Sequence, residues 1–252
     1  MEYDKAKLEW LEYDLLEQYP HILHGTFSRH GGVSQGTFGT LNLGVGTPDN
    51  PEHVKTNRAL IQKAIRLDRI VYPHQNHGVN VHRVTAKNLD QMPQADALYT
   101  TEKNIGLAAT HADCQAIILY DPVHEAVAIA HAGWRGSAQN IVGRLIDTLQ
   151  RELGTQPHNL VACVSPSLGP DHAEFKNYKQ ELPREFWDFQ KKPYHFDFWQ
   201  ITRMQLVQAG VLDKNIETAD ICTYCHSTDY FSHRREKDTG RNATIVALRS
   251  SI

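Results

Sequence analysis

Long apolar runs are missing from this sequence. No stretch approaches the apolar length of a membrane-spanning helix. The N-terminal residues MEYDKAKLEWLEYDLLEQYP alternate charged and apolar side chains, so no export signal is expected there. A surplus of one charge is also missing: 26 Lys and Arg face 29 Asp and Glu, for a net charge of −3. That excludes a broad basic face for nucleic acid or a membrane surface, but leaves room for a local basic pocket. Internal repeats and low-complexity linkers are absent, and a single domain over residues 1–252 is the simplest organisation. Cysteine is scarce, with only Cys114, Cys163, Cys222 and Cys225. In a chain that is not exported and stays cytoplasmic, these remain reduced, which ranks metal binding or catalysis above disulfides. No long exposed apolar helix points to a partner, so a monomer is the default.

Histidine is the residue present in unusual number, at 15. Most of these must be ordinary surface or core residues, so placement matters more than the count.

Residues 24–44, rich in Gly, Ser and Thr, read as two short strands joined by a glycine turn. A helix follows, with Asn50 as cap, Pro51 at its first position, and Val54, Arg58, Ile61 and Ile65 on one face. The middle of the chain is strand-rich. Ile70–Tyr72 leads into His74–Val81, and the apolar runs 105–110, 116–120 and 126–132 suit strands buried on both faces. An amphipathic helix then starts at Ser137, carries Ile141, Val142, Leu145, Ile146 and Leu149 on its apolar stripe, and closes at Gly154. A strand over 159–165, helical stretches near 175–190 (interrupted by Pro183) and 199–209, and a closing strand over 243–249 complete the pattern. Strands and helices interleave without a strict βαβ rhythm, which favours a layered α+β fold.

Three segments offer metal ligands beside small residues: PHQNHG (73–78), HADC (111–114) and HAGWRG (131–136). On a strand, His74 and His77 would point to opposite faces, and His77, next to a glycine, is the better ligand. His111 and Cys114 diverge in the same way. Together His77, Cys114 and His131 make a thiolate–imidazole set that suits zinc, with a fourth position left for water. The turn after His131 enters a helix and carries Arg135. Backbone N–H groups at a helix start and a planar cation would bind an anion such as phosphate. Asp113 is a candidate substrate contact.

The segments SRHGGVS (28–34), LNLG (41–44), NR (57–58), QNHG (75–78), ADAL (95–98), ADC (112–114), HAGWRG (131–136), CTY (222–224), FSHRR (231–235) and TGR (239–241) resemble, in this order, the motifs of the bacterial YfiH-like proteins. These are also described as laccase-domain or multicopper polyphenol oxidase-like proteins. The resemblance implies a layered αββα sandwich with mixed sheets and a zinc site on His77, Cys114 and His131. It also implies a purine nucleoside phosphorylase that cleaves adenosine, inosine and methylthioadenosine with phosphate. Adenosine deamination is attributed to similar proteins, and the oxidase label implies copper. The chain departs from the family pattern at Gln115-Ala116-Ile117, at 165–175, where a typical cysteine pair is missing, and at FSHRR, where the family has FSYRR.

On this reading a purine nucleoside lies between the segment near Arg29 and the metal, with phosphate near Arg135. Gln75 and Asp113 are expected to contact substrate and Asn42 to order the LNLG loop. Other readings compete. His172-Ala173-Glu174 with Cys222 and Cys225 echoes the zinc deaminase pattern, although the proline before the first cysteine is replaced by Ile221. Cys222–His226 also spells a haem-attachment pattern, which needs export. A zinc knuckle on Cys222, Cys225 and His233 lacks a second pair. The simplest reading puts Cys222 in the core and leaves Cys225 incidental. No His-X-His pair supports multicopper chemistry, although Cys and two His could hold a single copper ion. Cys114 with His131 as base would make a cysteine hydrolase, and a metal with a purely structural role would make a non-enzymatic binding protein.

Overall fold

The computed structural model describes residues 7–250; the first six residues of the charged N-terminal stretch lie outside them. The strands are β1 (Trp10–Leu11), β2 (Ile22–Phe27), β3 (Arg69–Val71), β4 (Val81–Arg83), β5 (Ala97–Thr100), β6 (Ile105–His111), β7 (Gln115–Asp121), β8 (Ala126–Ala132), β9 (Val161–Val164), β10 (Gln190–Lys192), β11 (His195–Phe196), β12 (Ile216–Thr218) and β13 (Asn242–Leu248). The helices are α1 (Asp14–Glu17), α2 (Pro51–Ile65), α3 (Trp134–Ala138), α4 (Ile141–Leu153), α5 (Tyr178–Glu181), α6 (Phe198–Gln208) and α7 (His233–Glu236).

Two mixed sheets form the centre. One has five strands in the order β1-β2-β13-β6-β3, and the other six in the order β12-β9-β7-β8-β5-β4. Leu107, Ala109, Val246 and Leu248 from the first meet Ile118, Tyr120, Val127 and Ile129 from the second in a shared apolar core. Ile61 and Ile65 of α2 cover the outer face of the five-stranded sheet, against Phe27, Ala108 and Ile245. Ile141, Leu145, Ile146 and Leu149 of α4, with Leu206 of α6, cover the outer face of the six-stranded sheet. The result is four layers, αββα. Both faces of each central strand are therefore buried, which is why β6, β7 and β8 read as continuous apolar runs rather than as alternating ones.

The helix signals act as their chemistry suggests. The Asn50 side chain accepts the Glu52 N–H, and Pro51 opens α2. Gly154 closes α4 at φ 77°, a left-handed value that favours glycine. Pro183 separates α5 from a 3-10 stretch over 184–189.

Three expectations need correction. Only the first strand in 24–44 exists, as β2. The rest is a loop gathered by side chains, with the Asn57 amide donating to the Thr40 and Asn42 carbonyls. His74–Asn80 is not a strand, because the Asp96 carboxylate captures its amides instead. The helix after His131 begins before Ser137. Gly133 caps the five-residue α3, and α4 restarts at Asn140, whose side chain accepts the Gly143 N–H. Ser137 is buried inside α3 and caps nothing.

Leu107 is fully buried where the two sheets meet. Leu107→Ala should destabilise the fold by about 2–5 kcal/mol, the usual cost of a cavity left by a core leucine, with the loss read from denaturant unfolding midpoints.

Candidate metal centre and its cavity

The chain leaves the five-stranded sheet at His111 and enters the six-stranded sheet at Gln115. Ala112, Asp113 and Cys114 make that crossing. Asp113 adopts φ 86°, a left-handed conformation that Asp tolerates better than most residues. This places Cys114 at the seam between the sheets. On the neighbouring strand, His131 of β8 pairs with Ala116 of β7, so its ring emerges at the same seam.

His77 arrives from the 74–80 loop, itself at φ 60°. The Asp96 carboxylate holds that loop. It accepts the N–H groups of Asn76 at 3.3 Å, His77 at 3.0 Å and Gly78 at 2.7 Å. The same carboxylate accepts His131 Nδ1–H at 3.0 Å. Because a carboxylate can only accept, Nδ1 of His131 carries a proton, and Nε2 is the nitrogen that can ligate a metal once its own proton is displaced. Burial pushes the Asp96 carboxyl up, but the His131 imidazole and the amides of Gly78 and Asn76 outweigh it and hold it below the usual range.

The donor atoms of His77, Cys114 and His131 all lie within 4.8 Å of one another. A tetrahedral zinc ion, about 2.3 Å from sulfur and about 2.0–2.1 Å from nitrogen, separates such donors by roughly 3.6 Å. Cys114 Sγ and His77 Nε2 are 3.9 Å apart. A Cβ at Gly133 would lie 2.8 Å from the His77 ring and 3.0 Å from Cys114 Sγ, so only glycine leaves this space open. Burial pushes the Cys114 thiol up, but the His131 charge and hydrogen bonds with His131 and His77 outweigh it and bring it down to about 6. His131 shows the reverse. Burial lowers it, and Cys114 and Asp96 together raise it to about 9. The pocket thus favours thiolate, the form that binds metal. Two imidazoles, one thiolate and an open side form a donor set that fits zinc with a free position.

His111 and His74 stay outside this group. His111 bonds the Thr244 hydroxyl inside the five-stranded sheet, and burial, aided by His131, pushes it down to about 3. The other partner of His77 in its motif, His74, pairs by a backbone bridge to Gln94.

Above the donors lies a cavity of about 310 Å³, lined among others by Asp113, Trp134, Arg135, Phe175, Phe198 and Arg234. The Phe175 ring sits 6.1 Å from Trp134 and 5.2 Å from Phe198, centroid to centroid, making one aromatic wall. The exposed Arg135 guanidinium lies 4.8 Å from the Trp134 ring centroid. α3 is too short to add much dipole, so the anion-binding capacity of this rim rests on Arg135 and Arg234 rather than on a helix end.

Of the residues expected to contact substrate, Asp113 and Arg135 line this cavity. The Asp113 carboxylate is already engaged, accepting from the Thr223 hydroxyl at 2.8 Å and the Arg234 N–H at 2.6 Å. Arg29 lies elsewhere; its guanidinium donates to the Gly39 and Ser227 carbonyls and packs over Phe231. Asn42 is fully buried and orders its loop by donating to Thr47 and Asp49 and accepting from Gly44 and Arg241. Gln75 is spent on Thr110. These three side chains are committed to the scaffold.

Sequence reasoning missed Asp96, Arg234 and the aromatic wall, and weighed His233 only as a zinc-knuckle ligand. Asp96 stood inside ADAL, and its only sequence signal was an acid just before a largely apolar strand. His233 donates Nδ1–H to the Lys237 carbonyl at 2.7 Å, which leaves Nε2 as an acceptor on the cavity rim.

Residues 23–249 match the family model described as multi-copper polyphenol oxidoreductase laccase. A purine nucleoside phosphorylase of Bacteroides thetaiotaomicron is 32% identical over 244 residues, covering 89% of this chain and 90% of its own. The purine nucleoside phosphorylase YfiH of Escherichia coli is 32% identical over 230 residues, covering 88% and 91%. The crystal structure of Bacillus licheniformis hypothetical protein YfiH superposes with a TM-score of 0.88 at 29% identity, over 98% of this chain and 100% of that one. With the four-layered fold and a family match over nearly its whole length, the chain belongs to the YfiH-like, laccase-domain family.

Proposed function

We propose that this chain is a zinc-dependent purine nucleoside phosphorylase acting on adenosine and inosine, with methylthioadenosine a further substrate. The observation that carries the reading is the convergence of His77, Cys114 and His131 on a cavity walled by aromatic rings and two arginines. Relatives over most of the chain are named purine nucleoside phosphorylases, which supports the same reading.

A purine is flat and apolar on its faces, and Trp134, Phe175 and Phe198 offer it stacking surfaces. Phosphate carries the charge that Arg135 and Arg234 can neutralise with fork-shaped donors. In phosphorolysis a phosphate oxygen bonds to the anomeric carbon as the glycosidic C–N bond breaks. The base leaves with the electron pair and takes up a proton. Zinc held by His77, Cys114 and His131 would supply Lewis-acid stabilisation of the negative charge that develops on the departing base. His233 lines the cavity, and with Nδ1–H donated to the Lys237 carbonyl its Nε2 can accept a hydrogen bond from a substrate hydroxyl.

The direct test is chromatographic analysis of purified protein with adenosine, with and without phosphate. Adenine is expected only with phosphate. Inosine formed regardless of phosphate would make the protein a deaminase, and no product in either case would end the purine reading. Elemental analysis of the same preparation is expected to find zinc; copper in its place would favour oxidase chemistry.

Two variants refine the test. Cys114→Ala should lose the zinc of this site and phosphorolysis together; a variant that keeps both would remove Cys114 from the site. Arg135→Ala should raise KM for phosphate about ten- to a hundredfold, the worth of a charge-assisted contact, with zinc content unchanged. An unchanged phosphate KM would show that Arg135 does not hold the anion.

A further inference from the structure

We propose that His172, Cys222 and Cys225 form a second cation site, of the thiolate–imidazole class that takes Zn²⁺, and that it fastens the rim of the cavity. Their donor atoms lie within 4.8 Å of one another, the only such group besides His77, Cys114 and His131 among the described residues.

The geometry has the marks of a prepared site. Cys225 Sγ lies 3.3 Å from His172 Nε2, near the roughly 3.6 Å that one zinc ion imposes on sulfur and nitrogen ligands. The His172 ring stacks on Tyr224 with centroids 3.9 Å apart and planes 20° apart, so its direction is set before any ion arrives. The Gly169 N–H donates to Cys222 Sγ at 3.2 Å, which stabilises negative charge on that sulfur. A Cβ at Gly169 would lie 3.1 Å from the same sulfur, so glycine keeps the approach clear. Cys222 is buried and anchors the cluster, while Cys225 is exposed and lets an ion enter from solvent.

With three protein donors, water completes the tetrahedron.

The position gives the ion its role. His172 belongs to the segment that contributes Ala173 and Phe175 to the cavity wall. Cys222 and Cys225 flank Thr223, whose hydroxyl donates to Asp113, next to Cys114. Ser167 and Cys222 are already joined by a parallel bridge. A shared ion would tie these segments together at a second point, beyond the reach of backbone hydrogen bonds. It would fix Phe175 opposite the metal centre without touching substrate.

The test is zinc stoichiometry of the full chain, stripped with chelator, kept reduced and titrated against a chromophoric competitor. Wild type is expected to bind two zinc ions per chain, Cys225→Ser one, and Cys114→Ala one. The Cys114→Ala, Cys225→Ser double variant is expected to bind none. Because Cys225 is exposed, its replacement leaves the core intact, and the Cys114→Ala background reads this site independently of the proposed catalytic centre. Amides over 169–175 should exchange faster in Cys225→Ser than in the zinc-loaded wild type. Equal zinc content in Cys225→Ser and wild type would overturn the proposal. So would a Cys222–Cys225 disulfide found by mass spectrometry in the reduced, zinc-loaded protein.

Discussion

One carboxylate organises the centre of this molecule. Asp96 immediately precedes β5, is almost fully buried, and accepts four hydrogen bonds, three from consecutive backbone amides and one from His131. Burying a carboxylate is costly unless charge and donors surround it, and here both do. The backbone of Asp96 also accepts the His131 N–H at 2.7 Å, so residue 96 grips His131 twice. A single residue thus sets the path of the loop carrying His77 and the tautomer of His131. Two of the three donors depend on it. The third, Cys114, is set by the sheet crossing.

The fold supplies what the carboxylate cannot. Two sheets packed face to face leave a seam where β6 hands the chain to β7 within three residues. His77 and Asp113 both hold left-handed backbone angles there, a local cost that the surrounding hydrogen bonds offset. Gly133 keeps the space between the ligands empty. The segment over 169–198 then adds Phe175 and Phe198, which with Trp134 of α3 wall the open side of the centre into a cavity. The three clustered donors come from a strand, a sheet crossing and a clamped loop, whereas the aromatic rings and arginines come from the rim.

Much of this was legible because its causes are local. The cap and proline of α2, the apolar stripe of α4 and the buried runs of β6 to β8 are written in adjacent residues. His77, Cys114 and His131 could be picked out because each stands beside small residues at a strand end or turn, and the structure brings their donors together. The failures have distant causes. His74–Asn80 looks extended in isolation, yet a carboxylate about twenty residues away captures its amides. Arg29 and Gln75 look available for substrate, yet Ser227 and Thr110 occupy them across the fold, and Asn42, which orders its loop, is closed off by Arg241 as well. The helix start expected to supply an anion site opens only the five-residue α3, too short to add much dipole, and Arg135 and Arg234 line the rim instead. Polar side chains in loops announce that they will bond something, but not what.

The central claim, that Asp96 builds the metal centre from behind, is best tested with Asp96→Asn. Its zinc affinity should be measured beside its folded-state circular dichroism. The amide keeps the size of the side chain but cannot accept four donors, and it no longer anchors the His131 Nδ1 proton with a charge. The account predicts a folded protein whose zinc affinity at the His77, Cys114 and His131 site falls about ten- to a hundredfold, the usual effect of losing a group that orients a metal-bound histidine. A folded Asp96→Asn protein with undiminished zinc affinity at that site would contradict it.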